Sequence, residues 1–377
     1  VNANLPARLA VKIIFFLNGF AHANYYSRLP RIQDQFQIDN GTLGVVLLSS
    51  SLGALLAMPF SGWLIIRNGS RKIGLFSVYM YCGLVPFIPA SPNLTSLLTV
   101  FFLLGVSAGM LDVSMNAQAV MIEQKWGKPI MTSFHAFFSI GMMLGALAGS
   151  LFSEMDTSLL THFVIITVVN LIVITIARLY LLYDKPEKKG EEPAFRLPNA
   201  AMVGIGVIAF CSMLGEGAMA DWSTNYMENF SKASKGLAPI GLSAFAAAMT
   251  IGRVFGDSAR LKYGDKKLMV VCGLISSVGL LFSILFVDPV SVIIGFFIVG
   301  IGLSTIVPIA YSVAGNAKGL PSGVALAMVT TVGYSGFLFG PPIIGFLADF
   351  VTLRFALLLV LFLFLVMTVL GFRYKKV

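Results

Sequence analysis

Gly62-Trp-Leu-Ile-Ile-Arg67-Asn-Gly69-Ser-Arg71-Lys72 and Gly252-Arg253-Val-Phe-Gly256-Asp257-Ser-Ala-Arg260-Leu-Lys262-Tyr-Gly264-Asp-Lys266-Lys267 are the two stretches that decide how this chain is built. Each closes an apolar segment with a basic run that turns on a glycine, and Gly69 and Gly264 are 195 positions apart. The same offset carries Gly105 to Gly300, Gly141 to Gly336 and Gly145 to Gly340. Glycine and charge punctuation that recurs once implies two homologous halves. The 377 residues suffice for roughly twelve membrane helices of about 20 apolar residues each, six per half. A duplicated bundle of this kind is the architecture of secondary transporters, whose halves rock about a site near the bilayer midplane.

Composition agrees. Hydrophobic residues make up 57% of the chain and charged residues only 11%, against about 25% charged in soluble domains, so a water-soluble fold is excluded. The net charge of +9 is not a nucleic-acid footprint, because the basic residues lie in short clusters between apolar runs rather than along one stripe. The first apolar segment begins near Leu9 and has Arg8 and Lys12 at its head. No small-residue cleavage site precedes the polar stretch 28–40, so it reads as a retained first helix. Cys82, Cys211 and Cys272 are odd in number and each sits in an apolar segment, where packing inside helices is expected.

Backbone polar groups in lipid demand helices or closed barrels. Twelve spans are expected near 8–27, 41–66, 73–91, 94–122, 130–154 and 159–183, then 199–229, 238–261, 267–287, 289–315, 320–348 and 352–373. The fold class is therefore an all-α integral membrane protein of two pseudo-symmetric six-helix bundles, 1–183 and 199–377. Between them, 184–198 reads DKPEKKGEEPAFRLP, whose three prolines and dense charge suit a solvated cytoplasmic connector. One set of loops and ends holds Arg8, Arg67, Arg71, Lys72, Lys125, Lys128, Lys185, Lys188, Lys189, Arg260, Lys262, Lys266, Lys267, Lys318, Arg373, Lys375 and Lys376. The other holds Arg28, Arg31, Lys232, Lys235 and Arg354. Positive charge stays inside, so both termini are expected in the cytoplasm of a cell whose inner membrane holds the chain as a monomer.

The quoted loop of the first half resembles the signature between helices 2 and 3 of the major facilitator superfamily: a glycine, an acid–arginine pair, then glycine and two basic residues. Ile66 stands where the family usually has an aspartate, a departure that bears on the charge-relay form of the latch. The resemblance implies that Arg67, Arg71 and Arg253 latch the cytoplasmic face through acids or helix ends on neighbouring helices, a gating role. Arg253 and Asp257, four residues apart, can pair on one helix face. Simple topology signalling is the alternative for both loops. Gly336, Gly340 and Gly345 with Pro341 and Pro342, echoed by Gly141, Gly145 and Gly149, resemble the superfamily's glycine–proline pattern, although close helix packing alone accounts for it. The runs GFAHANYYSRLPRIQDQF (19–36), GMLDVSMNAQ (109–118) and EGAMADWS (216–223) are similar to YbjJ-like and, more distantly, fucose-permease-like inner-membrane permeases.

Polar residues inside a membrane are costly and mark functional candidates. Asn18, His22 and Tyr25 share a face of span 1, with Arg28 at its outer end; span 4 presents Asp112 and Asn116 one turn apart, with Glu123 farther along. Span 7 carries Glu216 and Asp221 beside Trp222, Asn225 and Tyr226; span 10 offers Thr305 and Tyr311; spans 5 and 11 add His135, Ser139, Thr330, Thr331 and Tyr334. In the superfamily, helices 1, 4, 7 and 10 line the central cavity. The bland alternatives are helix-packing hydrogen bonds for the histidines and backbone bonds for the Ser and Thr hydroxyls. Glu216 and Asp221 lie about 140° apart around a regular helix, so one cavity takes both only if Gly215 or Gly217 breaks it. Asp112 and Glu216 lie deepest in their apolar segments and are the candidate proton-coupling pair; Arg28 and Asp221 lie nearer the outer mouth, where gating is expected.

The fucose-permease resemblance implies proton-coupled uptake of a small hydroxylated solute, with Asp112 carrying the proton and Glu216 facing it. Tyr25, Trp222 and Tyr311 would stack on sugar rings, Asn18, Asn116 and Asn225 would read hydroxyls, and His22, His135 and Tyr334 complete the candidate substrate set. No cofactor beyond the coupling proton, no metal and no nucleic acid are expected; the partners are the solute and the bilayer. The rival is a proton-driven drug exporter, which the 17 methionines would suit. An intramembrane enzyme is disfavoured, since the chain has no H-E-x-x-H and no Gly-x-Ser-x-Gly nucleophile motif, and the missing G-x-x-x-x-G-K-[ST] loop argues against nucleotide-driven pumping. A non-transporting receptor is the remaining class, separable by flux in proteoliposomes.

Overall fold

The computed structural model describes residues 5–127, 130–183, 200–315, 317 and 322–374; the connector expected at 184–198 lies outside them. Among the described residues every regular element is helical, as lipid requires of an open chain. The helices are α1 (Leu5–Tyr26), α2 (Leu29–Phe36), α3 (Asn40–Asn68), α4 (Ser70–Leu84), α5 (Phe87–Ala90), α6 (Leu94–Trp126), α7 (Met131–Glu154) and α8 (Leu159–Ala177), then α9 (Ala200–Asn229), α10 (Ile240–Tyr263), α11 (Asp265–Leu285), α12 (Pro289–Leu303), α13 (Ile306–Gly315), α14 (Ser322–Phe350) and α15 (Leu353–Arg373).

Nine helical segments among the described residues are long and apolar enough to cross a bilayer, with α12 and α13 counted as one. The remaining three passes fall short of that standard for visible reasons. Lys12, Asn18, His22 and Asn24 dilute α1; α4 has 15 residues before Pro86 and continues as α5; α10 carries Arg253, Asp257, Arg260 and Lys262 in its second half. Twelve helical rods result. The helix α2 was not expected from the polar stretch 28–40. Pro30 stands in its first turn, Leu29, Pro30 and Ile32 are its buried face, and Gln37 ends it in a left-handed turn at φ 50°. Elsewhere the starts are set by side-chain caps: Asn93 accepts from the Ser96 N–H, Ser158 from Thr161 and Asp288 from Ser291.

The chain divides into two compact units, 1–38 with 45–190 and 39–44 with 191–377. In the first, α1 packs on α7, α4 on α6, and α8 against α1 and α4. In the second, α9 packs on α14, α11 on α12, and α15 against α11 and α9. The order of partners is the same. Large apolar side chains such as Phe60, Phe76, Ile172, Val278 and Phe362 remain exposed on the outer helix faces, where lipid replaces water as solvent.

The glycines that reveal the repeat make equivalent contacts. Gly105 of α6 lies against the Ser50 carbonyl of α3, and Gly300 of α12 against the Phe245 carbonyl of α10; Ser50 and Phe245 are themselves 195 positions apart. Gly141 meets the Phe16 carbonyl and Phe20 amide of α1, and Gly336 the Phe210 carbonyl and Leu214 amide of α9. At each of these positions a Cβ would collide with the backbone of the neighbouring helix. Gly69 and Gly264, at φ 85° and 76°, make the tight turns after α3 and α10 that a Cβ disfavours.

Gly105→Ala and Gly300→Ala are therefore each expected to destabilise the protein by about 1–3 kcal/mol, because the partner helix must retreat. Thermal melting in detergent checks this, with Gly83→Ala as control, since nothing lies within 4 Å of a Cβ there. Equal midpoints for Gly105→Ala and Gly83→Ala would rule out the close backbone approach.

Candidate transport site

The polar face of the first unit is built on α1, α4, α6 and α7. On α6, the Asn116 amide donates to the Asp112 carbonyl at 2.8 Å and to Asp112 Oδ1 at 3.2 Å. Both residues are half-buried. The helix extends past the expected end at 122 to Trp126, so Asp112 lies 14 residues from its C-terminal end, about 21 Å along the axis at 1.5 Å per residue. Asn18 reaches from α1 to Met115 Sδ at 3.7 Å, next to this pair.

One turn along α1, the ring of His22 is surrounded by Tyr25, Tyr26, Tyr81 and Phe138, with centroids at 5.6, 5.5, 5.1 and 6.5 Å. Tyr25 is buried, edge-on to Phe101. His135 of α7 packs edge-on against Phe15 at 5.2 Å, one helix turn before Ser139, whose hydroxyl bonds back to the His135 carbonyl. Arg28 is buried and donates to the Thr157 carbonyl at 2.8 Å. It thus joins the end of α1 to the loop between α7 and α8, where the carbonyl ends of two helices favour a cation.

The basic loops do different things in the two units. Arg67 lies over the ring of Trp63, 4.1 Å from its centre, on its own helix. Arg71 donates to the Arg178 carbonyl at 2.8 Å, at the end of α8, and covers the Tyr183 ring at 3.7 Å. Gln118 joins this arrangement: its amide donates to Ser70 Oγ at 2.7 Å and to the Leu182 carbonyl at 3.1 Å, while its oxygen accepts the Leu182 N–H at 3.2 Å. Both backbone groups of Leu182 are held by one side chain. Glu123, farther along α6, accepts the N–H groups of Ile130 and Met131 at 2.6 and 2.7 Å and so caps the start of α7 with negative charge. In the second unit Arg260 forms an ion pair with Asp265 at 2.5 Å across the Gly264 turn. The first-half positions 195 earlier are Ile65 and Ser70, which cannot form such a pair.

Also in the second unit, Arg253 of α10 pairs with Glu216 of α9 at 3.3 Å, both side chains largely covered. The Asp257 side chain, expected beside Arg253, is outside the described set. Asp221, Trp222 and Asn225 are buried on α9. The Trp222 indole touches α14 at Gly345, and among the described residues its N–H has no hydrogen-bond partner. Tyr311 of α13 points its hydroxyl at Met213 Sδ, 3.9 Å away. Tyr334 of α14 packs edge-on against Phe337 at 6.1 Å.

Each unit thus offers a carboxylate with a defined partner, flanked by amides, aromatics and a thioether. The sequence profile of the Major Facilitator Superfamily matches residues 13–255 and 205–377. The chain belongs to that superfamily. It is 32% identical over 356 residues to an uncharacterised MFS-type transporter of Yersinia pestis, covering 94% of this chain and 92% of that one. It is 30% identical over 356 residues to the membrane protein MosC of Rhizobium meliloti, covering 93% and 86%. Among solved structures it is similar to a mutant form of the nucleoside transporter NupG, with TM-score 0.82, 13% identity and coverage of 98% and 100%. At that identity the likeness is one of fold. This protein is accordingly a multi-pass membrane transporter of the superfamily.

Tyr81, Ser70 and Gln118 were not singled out from sequence. Gln118 ends the run 109–118 two residues after Asn116, and a glutamine in an otherwise apolar helix was the available signal. Tyr81 gave none, since tyrosine is at home in such a helix.

Replacing Gln118 with Leu should release both backbone groups of Leu182. Amide exchange at Leu182 and Tyr183, followed by mass spectrometry, is expected to speed up about tenfold, the worth of one or two hydrogen bonds. Unchanged exchange would show that Gln118 does not hold this segment.

Proposed function

We propose that this protein is a proton-coupled secondary transporter, taking up a small hydroxylated, sugar-like solute across the cell inner membrane by alternating access of its two halves. In this reading it acts as a monomer with both termini in the cytoplasm, performs no catalytic step and needs no cofactor other than the coupling proton.

The observation that carries the reading is Asp112, a carboxylate near the middle of a 33-residue apolar helix with a neutral amide bonded to its Oδ1. A permanent charge at that depth is costly. A carboxyl group that gains a proton on Oδ2 keeps the Asn116 bond and loses the charge, which is what a proton carrier must do in one half of its cycle. Glu216 is the second acid of the scheme. Because it is paired with Arg253, protonating it removes a charge partner from the arginine, so its proton exchange is coupled to movement of α10 against α9. Arg253 then belongs to gating along with Arg28, Arg67, Arg71, Asp221 and Asp257.

The solute contacts follow from the side chains. Asn18, His22, Tyr25, Asn116 and His135 would serve from the first half, and Trp222, Asn225, Tyr311 and Tyr334 from the second. The Trp222 indole N–H, without a partner among the described residues, supports this set, since a buried indole normally finds an acceptor and a solute hydroxyl would supply one. The other reading, proton-driven export of lipophilic cations, draws on Met115 and Met213, whose sulfurs lie against Asn18 and Tyr311. Thioethers adapt to varied apolar ligands.

Counterflow in proteoliposomes with labelled L-fucose and D-galactose, against a cationic dye, separates the two readings. With whichever probe is carried, Asp112→Asn is expected to abolish uptake driven by a pH gradient while sparing exchange of labelled for unlabelled solute, because exchange need not return an empty, deprotonated carrier. Proton-driven uptake that survived the substitution would make Asp112 a structural acid and move the coupling role to Glu216.

A further inference from the structure

Arg67 stands in the last turn of α3 and lies over the ring of Trp63, one turn back and 4.1 Å from its centre. A ring contact uses none of the five N–H donors of a guanidinium. Among the described residues Arg67 donates a hydrogen bond to none and pairs with no carboxylate. Two carbonyls of its own turn already have donors: Leu64 accepts from the Asn68 amide at 3.2 Å and Ile65 from the Gly69 N–H at 2.8 Å. Ile66, where an acid would have answered the charge, is exposed and apolar.

The face of α3 that leads to Arg67 is made for lipid. Leu52, Leu56, Phe60, Trp63 and Arg67 fall within about 80° of the circumference at 3.6 residues per turn. All five are exposed, Phe60 at 68% and Trp63 at 49%. An apolar stripe that ends in an exposed tryptophan marks the level where hydrocarbon gives way to headgroups. Arg67, four residues farther on, lies about 6 Å beyond it along the axis, at headgroup depth.

We infer that Trp63 and Arg67 form a binding site for the headgroup of an anionic phospholipid, whose acyl chains run along Phe60 and Leu56 while its phosphate takes the free N–H groups of Arg67. Guanidinium–phosphate contacts are charge-assisted and can be bidentate. The indole holds the guanidinium in place beforehand, so less freedom is lost when phosphate binds. The charge class follows from the neighbours. Lys72, just past the Gly69 turn, and Arg178, at the end of α8, are exposed and form no ion pair among the described residues. A headgroup with its own ammonium would add a like charge to this end of the unit, whereas one with net negative charge relieves it. In the second unit the corresponding positions, 195 residues on, hold Ser258 and Lys262; a serine offers no ring, so the site belongs to the first unit. It asks nothing of the solute or the coupling ion and stands apart from the uptake reading.

The test makes Trp63 the sole tryptophan of the three, through Trp126→Phe and Trp222→Phe, and reads the quenching of its fluorescence by brominated lipids in phosphatidylcholine bilayers. Brominated phosphatidylglycerol is expected to quench at about a tenfold lower mole fraction than brominated phosphatidylcholine, the worth of a hydrogen bond to a charged group. Arg67→Gln should bring the two lipids together, and Arg67→Lys, which keeps the charge without the fork, should retain only part of the preference. Inorganic phosphate at matched ionic strength should leave the preference unchanged, since it brings no acyl chain. Equal quenching by the two lipids before Arg67 is altered, a preference that survives Arg67→Gln, or one kept whole in Arg67→Lys would overturn the inference. Loss of the preference to inorganic phosphate would do the same, by making the site one for a free anion. Should the sole-tryptophan protein not fold, native mass spectrometry of the wild-type chain against Arg67→Gln reads the same preference as retained lipid.

Discussion

Everything in this molecule follows from the fact that hydrocarbon offers a polar group no partner. The backbone answers with helices as its regular structure among the described residues, and the helices then have no hydrophobic force to drive them together, since lipid is as apolar as leucine. Close packing must supply the attraction. Gly105 against the Ser50 carbonyl, Gly141 against Phe16 and their counterparts Gly300 and Gly336 let backbones approach to where dispersion and weak polar contacts accumulate. The glycines that mark the repeat in sequence are thus the contacts that hold each unit in register.

Side chains face the same constraint and meet it in pairs. Asn116 holds Asp112, Arg253 holds Glu216, Tyr81 holds His22, and Asn24 Oδ1 accepts from His162 Nε2 at 2.8 Å. A pair is affordable in lipid where a lone charge is not, and it can also be exchanged. A proton or a solute that substitutes for one partner changes which helix faces are held together, which is the link between chemistry at a site and movement of a bundle.

The spans were legible because hydropathy acts over whole helices: the fifth and twelfth, expected at 130–154 and 352–373, are Met131–Glu154 and Leu353–Arg373. What failed was shorter than the pattern. The eight-residue α2 is too brief and polar to show a period, and the interruptions at Val85–Pro86 and Ser304–Thr305 fall inside continuous apolar runs. Pairings were less legible still. Arg253 and Glu216 are 37 residues apart, and whether they meet depends on how α9 and α10 are rotated, which no local rule fixes. The end of α6 was placed too early because the helix carries on past 122 through Glu123 and Lys125 as a polar extension that hydropathy alone does not count.

The loop after α3 shows how a departure from a family pattern is absorbed. With Ile66 where an acid is usual and Ile65 and Ser70 where the second half has Arg260 and Asp265, the first half has no carboxylate with which to close its own turn. Its loop turns outward instead, to backbone oxygens: Arg71 takes the Arg178 carbonyl and Gln118 spans Ser70 and Leu182. The residues that end α8 and lead toward 184 are thereby fastened to α4 and α6. A turn closed by its own ion pair moves as one piece with its helices, whereas a turn closed by the chain leaving the unit transmits its position to that chain. The two units share a packing plan, yet they close the same place in the repeat with different partners, and the asymmetry traces to the identity of a few side chains.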